Sequence, residues 1–180
     1  MAKTYVTLLR AVNVGKTWVP MEELRELFGT LGFQDVRTYI QSGNVVFKTG
    51  ASRSKCAAAI GKALGERLPT PIQFILKSSD ELAAIVAANP FVSEPSIDPA
   101  KLHATFLSAA PAKTAWEKLS AIRAGDDRFH ACGSEIFLHC PNGYGNTKLS
   151  NQTIERALAV PATTRNWKTV NKLLEMALEG

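Results

Sequence analysis

The stretch "PATTRNWKTVNKLLEMA", residues 161–177, crowds Thr163, Thr164, Arg165, Asn166 and Trp167 into the entrance of an amphipathic helix. A helix start needs one capping side chain, which Thr163 or Thr164 would supply. Trp167 would begin a packed stripe that continues through Val170, Leu174 and Ala177. Arg165 and Asn166 are then left over. A guanidinium and an amide beside a helix N-terminus are groups that hold phosphate or carboxylate. Near the other end of the chain, Gly15-Lys16-Thr17 matches the tail of a phosphate-binding loop, but Arg10 stands where the full motif needs a glycine. Pro20 also starts the following helix too late for that motif. What survives is a weaker anion seat, with backbone N–H groups at Gly15 and the side chains of Asn13 and Lys16 nearby. A third set, His130, Cys132 and His139, shares one face of a hairpin and offers three zinc ligands. No pair among them has a recognised ligand spacing, so no metal is expected. No nucleophile motif is present, and no cofactor is implied.

The elements that carry these residues follow from periodicity and turn chemistry. "KTYVTLLR" is a strand rich in β-branched and aromatic residues. Pro20, Glu22 and Glu23 suit a helix start; Met21, Leu24, Leu27, Phe28 and Leu31 repeat at helical spacing, and Gly32 stops the run. "VRTYIQSGNVVFKT" is a hairpin, expected to turn at Gly43-Asn44 with Ile40 opposite Phe47 and Tyr39 opposite Lys48. A helix from about Ser54 to Leu68 and the strand "IQFILK" complete a β-α-β-β-α-β order, the split unit of ferredoxin-like domains. Ser79 is expected to cap a short helix that Asn89-Pro90 ends. After a proline-bearing linker the pattern starts again: the strand "LHATFLS", the helix "AKTAWEKLSAIRA" and a hairpin turning at Gly133-Ser134. Ser150 then caps a helix stapled by Leu149 and Ile154. The expected architecture is α+β, two related ferredoxin-like subdomains, the second completed by the C-terminal helix instead of a last strand. The expected boundaries are residues 1–78, a helix and linker over 79–100, and a second subdomain over 101–180.

Composition bounds what such a chain can do. Of 180 residues, 46% are hydrophobic, enough for packed cores, and 21 basic against 16 acidic side chains give a net charge of +5. No like-charge run concentrates that excess, so it permits an anionic or nucleic-acid partner without demanding one. The three cysteines, Cys56, Cys132 and Cys140, are odd in number and lack close pairing, which suits a reducing compartment. The apolar run from Tyr5 to Leu9 is too short for a membrane span or a signal core. A cytoplasmic protein is expected, with no membrane partner; its oligomeric state is not legible.

Three stretches together carry a resemblance: "LLRAVNVGK" with "VPMEELRELFGTLGF", then "VRTYIQSGNVVF", then "NTKLSNQTIERAL" with "PATTRNWKTVNKL". In these the chain resembles the bacterial domain of unknown function 1697 family. The resemblance implies a pair of α+β subdomains and brings no established substrate, activity or catalytic residue. It singles out Arg10, Asn13, Gly15, Gln41, Ser42, Gly43, Asn44, Lys148, Thr163, Thr164, Arg165, Asn166 and Trp167. The turn at Gly15-Lys16-Thr17 departs from it, where a second glycine is expected.

A β-α-β-β-α-β sheet runs its first strand antiparallel to its third, which gathers Arg10, Asn13, Gln41, Ser42 and Asn44 at one sheet edge. The final helix is expected to bring Thr164, Arg165 and Asn166 toward them. With Gly15 and Lys16, that set forms a polar cleft for an anionic small ligand, a nucleotide or a phosphorylated metabolite. It holds no histidine and no carboxylate pair, so binding suits it better than catalysis. Two alternatives stand beside this reading. One is an enzyme acting on a small phosphorylated substrate. The other is an RNA- or DNA-binding module that uses the sheet face of Arg37, Tyr39 and Lys48 to stack bases and meet phosphates.

Overall fold

The chain's first strand is held between two antiparallel neighbours. In the computed structural model, which describes residues 2–13, 18–68 and 70–179, β1 (Lys3–Leu9) pairs with β3 (Asn44–Thr49) on one side and β4 (Phe74–Ser78) on the other. β2 (Gln34–Tyr39) adds to β3, giving the order β2-β3-β1-β4. The second sheet repeats that permutation as β6-β7-β5-β8, from β5 (Leu102–Leu107), β6 (Arg128–Cys132), β7 (Glu135–His139) and β8 (Ala162–Asn166). Two α+β units of one design are therefore present. The chain divides into Met1–Ala83 with Lys172–Gly180, and Ala84–Asn171.

β8 corrects one expectation. Residues 162–166 were to be a helix entrance, with the second unit lacking its last strand. They instead pair with β5 from Leu107↔Ala162 to His103↔Asn166. Thr163 and Thr164 are β-branched, and their place is the pleat rather than the cap. The cap of α6 (Trp167–Leu178) is Asn166, whose Oδ1 accepts from the Thr169 N–H at 2.8 Å. Ser78, rather than Ser79, caps α3 (Ser79–Ala87). Its Oγ accepts from Glu81 N at 3.2 Å while Glu81 Oε2 accepts from Ser78 N at 2.7 Å, a reciprocal capping box.

In the first unit, α1 (Met21–Thr30) and α2 (Arg53–Arg67) cover the sheet face of Tyr5, Leu9, Val45, Phe47 and Leu76. Phe47 is the hub, with ring centroids 4.2 Å from Phe33, 5.5 Å from Phe28 and 5.9 Å from Tyr5. The nucleic-acid-binding alternative rests on the opposite face, with Arg37, Tyr39 and Lys48. Val6, Leu8, Val46, Ile75 and Lys77 on that face are buried, and Arg37 donates to the Met176 carbonyl at 2.5 Å and pairs with Glu179 at 3.1 Å. The last turns of α6 thus engage Arg37, and the apolar residues of this face are buried.

In the second unit, α4 (Lys113–Ser120) and α5 (Asn151–Leu158) pack on Leu107, Ile136, Leu138 and Ala162. Ser150 caps α5, with Leu149 and Ile154 fully buried as its staple. His103 on β5 is buried, and its ring stacks on Tyr144 at 4.8 Å between centroids. Burial pushes the His103 imidazole below its usual value, with the Lys101 backbone partly opposing. A group whose folded value is depressed contributes its stability fully above the unfolded value near 6.5, and loses it as pH falls below that. The unfolding midpoint in urea is therefore expected to drop between pH 7.5 and pH 5, and to drop less in His103→Gln. Equal acid sensitivity in the two proteins would contradict this.

Candidate ligand-binding site

The sheet edge foreseen for the first unit forms, and its details are local. Leu9 N donates to the Gly43 carbonyl at 2.9 Å, so the end of β1 meets the β2–β3 turn. The turn is not the two-residue Gly43-Asn44. The observed register pairs Tyr39 with Asn44 and Thr38 with Val45, four positions from expectation, and leaves Ile40 to Gly43 as a four-residue loop. Ile40 is therefore not inward on the strand. It sits in the turn with a left-handed backbone, φ 47°, and is 49% exposed.

Two asparagines fasten this edge. Asn13, at φ 57°, donates from Nδ2 to the carbonyls of Val19 (3.0 Å) and Gln41 (2.9 Å) and accepts from Val19 N at 2.6 Å. One side chain thus ties both ends of the β1–α1 loop to the hairpin turn. Asn44 is fully buried and donates to the Tyr39 carbonyl and to Ser42 Oγ, at 3.0 and 2.8 Å, closing the turn on itself. Both amides are positioning groups. Arg10 is half-buried, with its N–H on the Gln73 carbonyl at 2.8 Å, while Gln41 is exposed. Gly15 and Lys16 lie outside the described residues.

Beside this edge is a groove of about 430 Å³, lined by Trp18, Pro20, Met21, Glu22, Arg25, Thr38, Ile40 and Gln41. Pro20 precedes α1 and supplies no capping side chain, and Glu22 and Glu23 stand in the first turn of the helix. Arg25 and Glu22 form an exposed pair 3.6 Å apart at its rim. Of the residues proposed from sequence, Gln41 lines the groove. Trp18, Arg25 and Ile40 were missed. The available signal was Trp18 itself, a large aromatic just before a helix-starting proline and outside the helical stripe. A second depression, of about 550 Å³, runs from Lys3 and Tyr5 past Gly50–Arg53 to Ser78 and Glu81. There Arg53 is paired with Glu81, and Ser52 caps α2.

The other expected site residues belong to the second unit. Thr164 Oγ1 lies 2.7 Å from Thr105 Oγ1 and donates to Asn151 Oδ1 at 2.6 Å. Arg165 is 7% exposed, and its guanidinium donates to Thr163 Oγ1 at 2.8 Å and the Thr164 carbonyl at 3.0 Å. Burial pushes its pKa down to about 10, with Tyr144 opposing, so it stays charged at neutral pH. Asn166 is exposed and caps α6. His130 and Cys132 share a sheet face with His139, but the register sets His139 opposite Arg128. Among the described residues no group of three or more His, Cys, Asp or Glu side chains is gathered to hold a metal ion. Among them, too, no helix is long and apolar enough to cross a membrane.

Against known proteins, the sequence profile of a family described as a protein of unknown function, DUF1697, matches residues 2–137. No curated protein matches the chain. Among solved structures, the conserved bacterial protein SP0830 from Streptococcus pneumoniae is similar, with a TM-score of 0.81 at 24% identity over 98% of this chain and 99% of that one. At that identity the likeness speaks for the fold alone.

Proposed function

Because the chain belongs to the DUF1697 family of proteins of unknown function, its role has to be argued from its own residues, and we propose that it binds a small anionic ligand, a nucleotide or phosphorylated metabolite, at the groove between the start of α1 and the β2–β3 turn. The observation that carries this is the concentration of backbone strain. Of the five non-glycine residues with left-handed φ among the described residues, Ala11, Asn13 and Ile40 stand in these two neighbouring loops. Asn13 is at ease there, but for Ala11 and Ile40 such conformations cost roughly 1–3 kcal/mol each and gather where the surrounding fold holds a site in shape. Arg25 and the chain's basic excess favour an anion. Among the described lining residues Glu22 is the one carboxylate and there is no histidine, which favours binding over catalysis. The free cysteines, two of them buried, fit residence in the cytoplasm.

Thermal unfolding of the full chain with a panel of nucleotides and sugar phosphates tests this. A ligand at a hundred times its Kd stabilises by about 2.7 kcal/mol, a shift of several degrees. Arg25→Ala should lose most of that shift while keeping the unliganded midpoint, since its partner Glu22 is exposed. A panel in which nothing moves the wild-type midpoint sinks the proposal.

A further inference from the structure

We infer that the groove seats a flat heteroaromatic ring, the base of a mononucleotide; this rests on the anionic-ligand reading and narrows it. Four large hydrophobic side chains are conspicuously exposed among the described residues, Trp18, Ile40, Val92 and Leu178, and two of them line this one groove. Trp18, at 67% exposed, presents an indole face to solvent. Ile40 is costly twice over. A β-branched residue is a poor occupant of left-handed backbone, where Asn or Gly would be at ease, and its side chain is half in water. Nothing in the turn requires isoleucine, because the closing hydrogen bonds come from Asn13 and Asn44. An apolar branched side chain in that place has a use if something flat and apolar lies against it.

The rim supplies what the edge of a base needs. The Gln41 amide offers a donor and an acceptor and Glu22 accepts from a ring N–H or exocyclic amine, which leaves Arg25 to the anionic group. Thr38 adds a hydroxyl. The volume of about 430 Å³ falls within the ~300–1,000 Å³ of small-ligand sites. A nucleic-acid strand fits less well than a single nucleotide. Glu22 and Glu23 stand together at the start of α1, and a polymer needs a continuous basic track with several stacking rings.

The test is titration of the full chain with AMP, GMP, adenosine and ribose 5-phosphate, followed by intrinsic fluorescence and calorimetry. The proteins are wild type, Trp18→Ala, Trp18→Phe and Ile40→Asn. A purine nucleotide is expected to quench Trp18 emission and to bind more tightly than ribose 5-phosphate. Trp18→Ala should raise its Kd by about tenfold or more, the scale of base–aromatic stacking, and Trp18→Phe should recover most of the loss. Ile40→Asn should weaken binding while leaving the unfolding midpoint unchanged or higher, which a merely structural role would not produce. If AMP and ribose 5-phosphate bind alike and ignore Trp18→Ala, the base seat is overturned and the anion reading stands. If adenosine binds as well as AMP, in a Trp18-dependent way, the base seat stands and the anion reading falls. If a Trp18-dependent dimer forms and no nucleotide binds, the groove is an interface between copies and both readings are overturned.

Discussion

Gly43→Ala is expected to cost about 3 kcal/mol and to disable the proposed ligand groove at the same time. A Cβ built at Gly43 would lie 2.9 Å from Leu9 Cβ and 3.3 Å from Val12 Cβ. Both obstructing atoms are the first carbons of their side chains, so no rotamer change moves them. The backbone there is also left-handed, with φ 73°, which costs an alanine roughly 1–2 kcal/mol before any crowding is counted. Overpacking in a tight place adds about 1–3 kcal/mol more. Gly32→Ala is the internal control. Its φ is 76°, but nothing lies within 4 Å of the new methyl group, so it should pay the conformational cost alone. The difference between the two urea midpoints isolates the close approach of the hairpin turn to β1. Equal losses at Gly32 and Gly43 would mean that the turn can back away, and that the edge is looser than its hydrogen bonds suggest.

Arg165→Ala is the second large effect, about 2–4 kcal/mol by chemical denaturation. The guanidinium supplies hydrogen bonds to Thr163 Oγ1 and the Thr164 carbonyl, and the truncated side chain leaves a void where an arginine was 93% covered. Hydrogen bonds from a charged donor are worth about 1.5–3 kcal/mol, and an abandoned buried acceptor pays its own desolvation. Arg165→Met should be milder, within about 2 kcal/mol, because it fills the volume and removes the cost of keeping a cation out of water. The pair also separates two jobs for this residue. If the methionine variant is stable and still binds the ligand, Arg165 holds the second sheet together and does no more. If it is stable and binds nothing, the sequence reading of Arg165 as a ligand group is upheld.

The two-unit fold was legible because each unit is written in strong signals: β-branched strands, helical apolar spacing, and prolines and glycines at the joints. β8 escaped because a five-residue segment holding two threonines, an arginine and an asparagine reads as capping chemistry. The β-propensity of Thr163 and Thr164 was the signal that competed and won, once β5 offered an unpaired edge. The register of the first hairpin escaped for a different reason. Gly43-Asn44 is a strong local turn signal, and no propensity foretells an isoleucine in left-handed backbone. That breach of a local rule lies in the groove. Asn13 and Asn44 were read as ligand groups, and in the fold their amides fasten loops. The residues that line the groove, Trp18, Arg25 and Ile40, have no motif among them and become a set only when β2, β3 and α1 are folded against one another.

The first unit is not one stretch of chain. It takes in Lys172–Gly180, whose turns of α6 supply the Met176 carbonyl and Glu179 to Arg37. On the ribosome, residues 1–83 emerge long before that segment exists. Arg37 therefore waits for its partners Met176 and Glu179 until residues 172–180 have been made. The unit whose synthesis begins first is completed only after the sequence of the second unit, residues 84–171, has been made. Loss of residues 172–180 would accordingly wound the first unit, and it is there, among β1 to β4, that protection from hydrogen exchange should fail first.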